Sequence, residues 1–324
     1  MSLKRVWVSW ETQRRTVELA RKLGCDLHIV DIGGLRRYPV SIFKTLFILR
    51  RAHPDLLFVQ NPSMILATIS CMYKCLRRVN VVVDRHSTFF LHNKNWTLAS
   101  TIIFKLLNYF TIKSADLTIV TNEYLSMIVK RMKGNPFVLP DMVPELKATR
   151  IVPLNGEYNI FLIASFNTDE PIEEVLEAMK KIDRYNIHLY VSGNHRKLKE
   201  TTRKQAPCNV TFTGFLSEQE FINMLFSVDV VMVLTTADYC MLCGCYEAVS
   251  AGKPLITSQK SVLVDYFEGA CFVDNTTEGI LKGIEEVMDN LGKYQRKTVA
   301  LREKLMSQWP LLFNNLEELL DRLN

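Results

Sequence analysis

Twice along this chain short β-rich apolar runs alternate with helical segments, the pattern of a parallel sheet whose crossover helices cover both faces. In the first half, residues 6–9, 27–30, 56–59, 81–83 and 117–120 read as buried strands, with helical periodicity over 14–23 and 42–51. In the second half, 158–164, 187–191, 210–212, 229–234, 254–257 and 271–273 read as strands, with helices over 171–182, 217–226 and 246–250. Pro171 suits a first helical turn, and Ser217 followed three residues on by Glu220 forms a capping box. Between the halves, residues 133–157 contain Gly134, Pro136, Pro140, Pro144, Pro153 and Gly156, the densest cluster of breakers, which predicts a linker. After Pro310, Leu312, Leu316, Leu319, Leu320 and Leu323 predict an amphipathic final helix. The expected organisation is two α/β domains, 1–150 and 151–308, with a terminal helix, 309–324.

Charge divides the chain along the same line. The net charge of +6 comes from 40 Lys and Arg against 34 Asp and Glu. Residues 1–150 hold 23 basic and 10 acidic residues, net +13, which leaves 17 and 24, net −7, for the rest. In the first half the cations flank apolar stretches: Arg36, Arg37, Lys44, Arg50 and Arg51 around 42–49; Lys74, Arg77 and Arg78 after 64–73; Lys105 and Lys113 within 98–112. Basic plus apolar surface suits an anionic membrane face, with a merely solvated surface as the alternative. No nucleic-acid motif or aromatic-basic repeat is present, so a nucleic-acid partner is not expected. The first residues lack the apolar core of a secretory signal, and Gln60, Asn61, Pro62 and Ser63 interrupt the uncharged run 56–73, which reads as strand plus helix rather than a membrane span. Eight cysteines, mostly inside apolar stretches, read as reduced thiols of a cytoplasmic protein.

Ligands of open parallel sheets collect beyond the carboxyl ends of the strands. After the first strand, Arg14 and Arg15 open a helix and suit an anion, although a solvated basic turn explains them equally; no GxGxxG is present there. After the strand 81–83 stand Asp84, Arg85, His86, Ser87 and Thr88, and His86 can donate to sugar hydroxyls or play a structural part. Gly214 follows a strand, Gly244 precedes a helix, and Glu247 near that helix's start can accept from two ribose hydroxyls or simply complement the helix dipole. Cys240, Cys243 and Cys245 form C-x-x-C-x-C, but no second pair or histidine stands near, so no metal is assigned.

The segments "TGFL", the apolar run ending in "LTT", and "GCYEAVSAGKPLITS" resemble the second domain of GT-B glycosyltransferases, most nearly the retaining family-four type. "PDLLFVQNPS", "VVVDRHST" and "ADLTIVTNEYL" fit the first domain of that family. The resemblance implies two Rossmann-like domains facing across a cleft, with the terminal helix 309–324 placed to cross back to the first, a nucleotide diphosphate sugar donor, a saccharide or lipid-linked saccharide acceptor in surface polysaccharide or glycoconjugate synthesis, retention of configuration, and no cofactor. It implies that Gly244 and Glu247 hold the donor ribose and sugar, that His86 faces the sugar, and that Gly214 and Tyr246 adjoin the nucleotide. In two places the sequence departs from the family. The second acidic position falls on Tyr239, with Asp238 beside it as a substitute, and the two cations expected after the first strand of the second domain fall on Ser165 and Glu170. The donor diphosphate is then expected to be balanced by Arg14, Arg15 or Arg85 across the cleft, helped by His195, Arg196 or Lys197, with Ser165 and amides near Asn167 donating hydrogen bonds. His86, Glu247 and Asp238 are the expected catalytic set. A nucleotide-sugar epimerase and a non-catalytic nucleotide-sugar binder remain as alternatives.

Overall fold

The computed structural model describes residues 3–34, 36–61, 63–86, 97–183 and 185–323. Two compact units form: Met1–Asp141 together with Trp309–Asn324, and Met142–Gln308.

The first unit runs β1 (Arg5–Ser9), α1 (Arg14–Lys22), β2 (Asp26–Ile29), α2 (Arg37–Ala52), β3 (Leu56–Asn61), α3 (Met64–Leu76), β4 (Asn80–Arg85), α4 (Leu98–Ser114), β5 (Leu117–Val120), α5 (Glu123–Arg131) and β6 (Pro136–Val138). The strands pair in parallel in the order β2-β1-β3-β4-β5-β6. Leu117–Val120 is buried throughout, as are Val81, Val82 and Val83, which is why these strands read as unbroken apolar runs rather than as alternating ones. The Ser63 hydroxyl accepts from the Leu66 amide at the start of α3, and the Asn122 amide oxygen does the same for Leu125 at α5, so both helices begin on a side-chain cap. The step from β1 to β2 runs in one direction across the sheet and every later step in the other. Right-handed crossovers therefore place α1 on one face and α2, α3, α4 and α5 on the opposite one.

The second unit runs β7 (Tyr158–Leu162), α6 (Ile172–Lys181), β8 (Ile187–Ser192), a 3-10 turn at His195–Lys197, α7 (Glu200–Lys204), β9 (Val210–Gly214), α8 (Glu218–Ser227), β10 (Val230–Val233), α9 (Cys243–Ala251), β11 (Leu255–Ser258), α10 (Ser261–Tyr266), β12 (Cys271–Val273) and α11 (Thr277–Asp289). Its sheet is parallel in the order β12-β11-β10-β7-β8-β9. Ile160, Leu162, Val175, Leu176, Met179, Leu189, Val230, Met232 and Ile284 pack in its core, so α6 buries the face that its periodicity marks. Ser217 and Glu220 form the reciprocal capping box at the start of α8.

The elements differ from the sequence pattern in three places. The breaker cluster contains β6, which pairs with β5 through Thr118, Ile119 and Val120; Pro136 is tolerated because β6 is an edge strand. The first unit ends at Asp141 rather than at 150, and Thr149, Arg150 and Val152 are already bound to Asn223 and Ser227 of the second. The last helix does not start after Pro310. It is α12 (Leu291–Asp321), with Pro310 inside it. Proline removes one helical hydrogen bond there, but packing on both sides of the site holds the helix: Trp309 is buried and donates its indole N–H to the Pro140 carbonyl (3.0 Å), and Leu316 and Leu320 are buried. Arg5 pairs with Asp321 (3.1 Å), tying the end of α12 to β1.

Candidate functional site

At the carboxyl end of the first sheet, β4 delivers Asp84, Arg85 and His86, and α1 delivers Arg14 and Arg15. Arg15 and Asp84 are both buried. The Arg15 Nε and Nη2 donate to Asp84 at 3.0 to 3.1 Å, Nη1 donates to Asp141 at 2.5 Å, and Nη2 also reaches the Leu139 carbonyl at 3.0 Å. One guanidinium thus ties the ends of β4 and β6 to the first turn of α1. Burial alone would raise the Asp84 carboxyl, but Arg15, with the His86 ring, outweighs it and holds the group at about 2. Burial opposes the charge on Arg15, while Asp84 and Asp141 favour it, and the net is a guanidinium above its ordinary value. His86 Nδ1 lies 3.4 Å from the Asp84 carboxylate. Ser87 and Thr88, expected beside it, lie outside the described residues.

Arg85 projects to the other face of β4. It donates to the Asn108 amide oxygen (2.5 Å) and the Thr111 hydroxyl (3.4 Å) of α4, and its Nε has no hydrogen-bond partner among the described residues. Burial lowers it to about 10, so it remains charged at neutral pH. The expectation that Arg15 or Arg85 neutralises a donor diphosphate is therefore corrected. Arg15 spends its donors on two carboxylates and a carbonyl, and Arg85 is buried against α4. Arg14 is the exposed arginine of the three.

At the carboxyl end of the second sheet the loop after β7 closes on itself. Glu170 accepts from the Ser165 amide (3.0 Å), the Ser165 hydroxyl (2.5 Å) and the Phe166 amide (2.7 Å), with Phe166 in the left-handed region at φ 55°. Ser165 was expected to donate to the ligand, but its donors are given to Glu170, and Asn167 donates to the Ser165 hydroxyl (2.9 Å). The Lys197 ammonium bonds the Ser165 carbonyl at 2.8 Å and Asn167 Oδ1 at 3.3 Å, which brings a cation from the turn after β8 onto this loop. Arg196 beside it is exposed, and His195 packs against Phe212. Gly193, which the sequence reading passed over, allows the approach of these two loops: a Cβ at its φ of 94° would stand 2.1 Å from the Ala164 carbonyl oxygen. Gly214 ends β9 at φ 71°, a conformation that favours glycine, and a Cβ there would stand 3.9 Å from the His195 ring.

Asp169 joins the β7 loop to the end of β10, where it accepts from the Thr235 hydroxyl at 2.7 Å. Two residues after Thr236, Asp238 is exposed and ion-paired with Lys260 at 2.9 Å. Tyr239 follows in the left-handed region at φ 61°. Glu247 is half-buried on the second turn of α9. Two expectations about α9 are corrected. Tyr246 is buried, and its ring meets Tyr266 and Phe267 at centroid distances of 5.6 and 5.1 Å, so it belongs to the core and not to a nucleotide face. Gly244 makes room for packing: a Cβ there would come within 3.0 to 3.2 Å of Val233 and Ile163 side chains, so the glycine seats α9 against β10. Cys245 is buried, bonded to Thr257, and pushed by desolvation up to about 12, as a protonated structural thiol is. Among the described residues no group of three His, Cys, Asp or Glu side chains is placed to hold a metal.

Residues 147–303 match the family model described as "Glycosyl transferases group 1". Over the whole chain the fold is similar to sucrose-phosphate synthase from Thermosynechococcus elongatus, with a TM-score of 0.78 at 14% identity and 99% of each chain covered. It is similar to Anabaena HepE in complex with UDP and glucose, with a TM-score of 0.73 at 12% identity, covering 98% of this chain and 91% of that one. A third similar structure is trehalose-6-phosphate from Escherichia coli bound with UDP-2-fluoro glucose, with a TM-score of 0.65 at 11% identity over 88% of this chain and 79% of that one. Curated protein sequences give no match.

Proposed function

We propose that this chain, a GT-B glycosyltransferase in which residues 147–303 form a Glycosyl transferases group 1 domain, moves a sugar from a nucleotide diphosphate sugar to a saccharide or lipid-linked saccharide acceptor. The observation that carries the reading is this domain match together with the parallel-sheet fold shared over 99% of the chain with sucrose-phosphate synthase. HepE and the Escherichia coli protein, both of the same fold, are solved with UDP or UDP-sugar ligands, which supports a donor of that class.

In this reading the second unit holds the donor. Glu247 accepts from donor hydroxyls, Gly214 leaves space for the nucleotide, and Asp238, oriented by Lys260, takes the second acidic place. The loop after β7 offers no free amide nest, because Glu170 fills it. Arg196 and Lys197 after β8 therefore supply the cations that stabilise the diphosphate as it leaves, with Asn167 beside them, and Arg14 adds a further exposed positive charge. In the first unit His86, beside Asp84, faces the sugar. The bond between the anomeric carbon and the diphosphate oxygen breaks, a bond to the acceptor oxygen forms, and the acceptor's proton leaves with the departing group; the configuration is retained. Work on surface polysaccharide or glycoconjugates at the cytoplasmic face of a membrane fits the basic first half.

A panel of UDP-, GDP- and ADP-sugars, assayed for nucleoside diphosphate release with and without saccharide acceptors, tests the proposal. Release of a nucleoside diphosphate from one donor, faster with acceptor and lost in Glu247→Ala, is expected. Isomerisation of the donor sugar without release would make the protein an epimerase, and binding without turnover would make it a non-catalytic binder.

A further inference from the structure

Helices α2, α3 and α4 lie side by side on one face of the first sheet, and a groove of about 380 Å³ is lined by side chains of all three, among them Tyr38, Met64, Ile65, Ile103 and Phe104. Two of these helices bury polar residues beside apolar ones, Leu49 and Ala52 in α2 and Ile112 in α4, and leave large apolar residues outside. α2 buries Ser41 and Thr45 and exposes Phe43, Leu46 and Phe47; α4 buries Asn108 and Thr111 and exposes Ile102, Ile103, Leu106 and Tyr109. A helix packed on a sheet with water outside carries the opposite pattern. Three of these four inward polar groups have partners: the Trp10 indole donates to Thr45 (2.9 Å), and Arg85 donates to Asn108 and Thr111, while the buried Ser41 hydroxyl has no hydrogen-bond partner among the described residues. With Tyr38 of α2 and Met72 and Leu76 of α3, ten of the eighteen exposed large hydrophobic residues among the described residues fall on these three helices. Phe43 is 72% and Leu76 81% exposed.

The charge around this surface has one sign. From Ile32 to Ala115 the sequence has twelve Lys and Arg and two acidic residues, Asp55 and Asp84. Asp84 is buried in the Arg15 ion pair, and Asp55 accepts from the Lys4 amide (2.8 Å) at the other end of the strands. The helices themselves contain no Asp or Glu, and Lys44, Arg50, Arg51, Lys105 and Lys113 are exposed on them, with Arg77 and Arg78 just past α3. No helix among the described residues is long and apolar enough to cross a membrane.

We infer that the outer face of α2, α3 and α4 is a docking surface for an anionic lipid bilayer, with the outward Phe, Ile and Leu side chains entering the headgroup boundary and the lysines and arginines binding lipid phosphates. The charge complementarity selects lipid over a protein partner: the three helices contain no acidic residue, the one acid lining the groove, Glu11, is paired with Arg37, and so predominantly basic a surface repels a second copy of itself. The inference deepens the proposal of a lipid-linked acceptor, because such an acceptor sits in the same bilayer, and it is tested by a readout separate from catalysis.

Flotation of the full chain with vesicles of phosphatidylcholine alone, or with about a third phosphatidylglycerol, decides it. Binding is expected to the anionic vesicles only, and to weaken as salt rises from about 0.05 M to about 0.5 M. Each cation removed from the lipid face weakens partition about fivefold, so Lys105→Glu with Lys113→Glu loses at least about tenfold. Ile103→Ser with Leu106→Ser also releases the protein, although its charge is unchanged, whereas Met306→Ser on α12 does not. All three variants place substitutions on exposed side chains, and unchanged circular dichroism and nucleotide binding confirm the fold. Absence of binding to anionic vesicles at low salt, binding indifferent to both double substitutions, or self-association in light scattering that the same substitutions abolish would overturn the inference. Nucleoside diphosphate release from a soluble acceptor assay is unaffected in every one of these cases, so the two readings fail separately.

Discussion

The carboxyl ends of the two sheets treat charge in opposite ways. In the first unit the charged groups at the strand ends are buried and neutralise one another: Arg15 lies between Asp84 and Asp141, and His86 leans on the result. In the second unit they are exposed and loosely tied: Asp238 to Lys260, and Lys197 to a carbonyl and an amide oxygen. A buried pair costs solvation and repays it only with full hydrogen bonding, so it fixes geometry and is not available to a ligand. An exposed pair contributes little to stability and can exchange partners when an anion arrives. The first arrangement suits a side chain held in one orientation, the second a charged ligand that must bind and leave.

If this contrast is right, substitutions in the two places should differ first in stability. Asp84→Asn leaves Arg15 buried with half its compensation, and unfolding in urea should show a loss of about 3 to 5 kcal/mol. The pH dependence has a definite sign. The Asp84 carboxyl is depressed in the fold, to about 2, so its stabilisation is complete above the unfolded carboxylate value and is lost as the pH falls from about 4 through 2. The gap between wild type and Asp84→Asn should therefore narrow across that interval by on the order of 2 kcal/mol. A gap that widened on acidification would break the comparison. Gly193→Ala places a Cβ 2.1 Å from the Ala164 carbonyl and should cost about 2 to 3 kcal/mol by forcing the loops after β7 and β8 apart. Its melting temperature reports that cost, and nucleotide affinity should fall with it.

Glu170→Gln sharpens the contrast from the other side. It removes a negative charge from the loop after β7, and titration calorimetry should show nucleoside diphosphate binding strengthened by about fivefold to tenfold. At the small end, Asp238→Asn breaks an exposed pair and should change stability by less than about 1 kcal/mol, within the range of surface ion pairs. A larger loss would mean that the second unit uses its strand-end charges as the first does.

The architecture was legible because parallel strands covered on both sides appear as apolar runs, as in residues 81–83 and 117–120, and because amphipathic helices such as α6 carry their period openly. β6 was hidden by the proline that opens it, and α12 by Pro310, since both were read as breakers where tertiary packing overrides the local preference. Candidate site residues were placed by position, His86 just after a strand and Glu247 near the start of a helix, and the fold puts both at those positions. Their roles were less legible, because a role depends on partners distant in the chain. Arg15 and Asp84 are 69 residues apart, and nothing local shows that they meet. Tyr246 and Gly244 lie in the segment that carries the family resemblance, yet one fills the core and the other seats a helix. Glu170 looked like an obstacle to a diphosphate in sequence, while in the fold it is the cap of its own loop. The apolar outer side of α2 and α4 was visible as basic residues around apolar stretches, but which side faced outward needed the sheet.

The central claim is that the second unit meets the donor diphosphate with its own exposed cations after β8, in place of the residues after β7. Titration calorimetry of UDP and GDP into wild type and into Arg196→Ala with Lys197→Ala tests it most directly. The account predicts that whichever nucleotide binds the wild type binds the double variant at least about tenfold more weakly, with no change in melting temperature of the free protein. Equal affinity in the two proteins would contradict it.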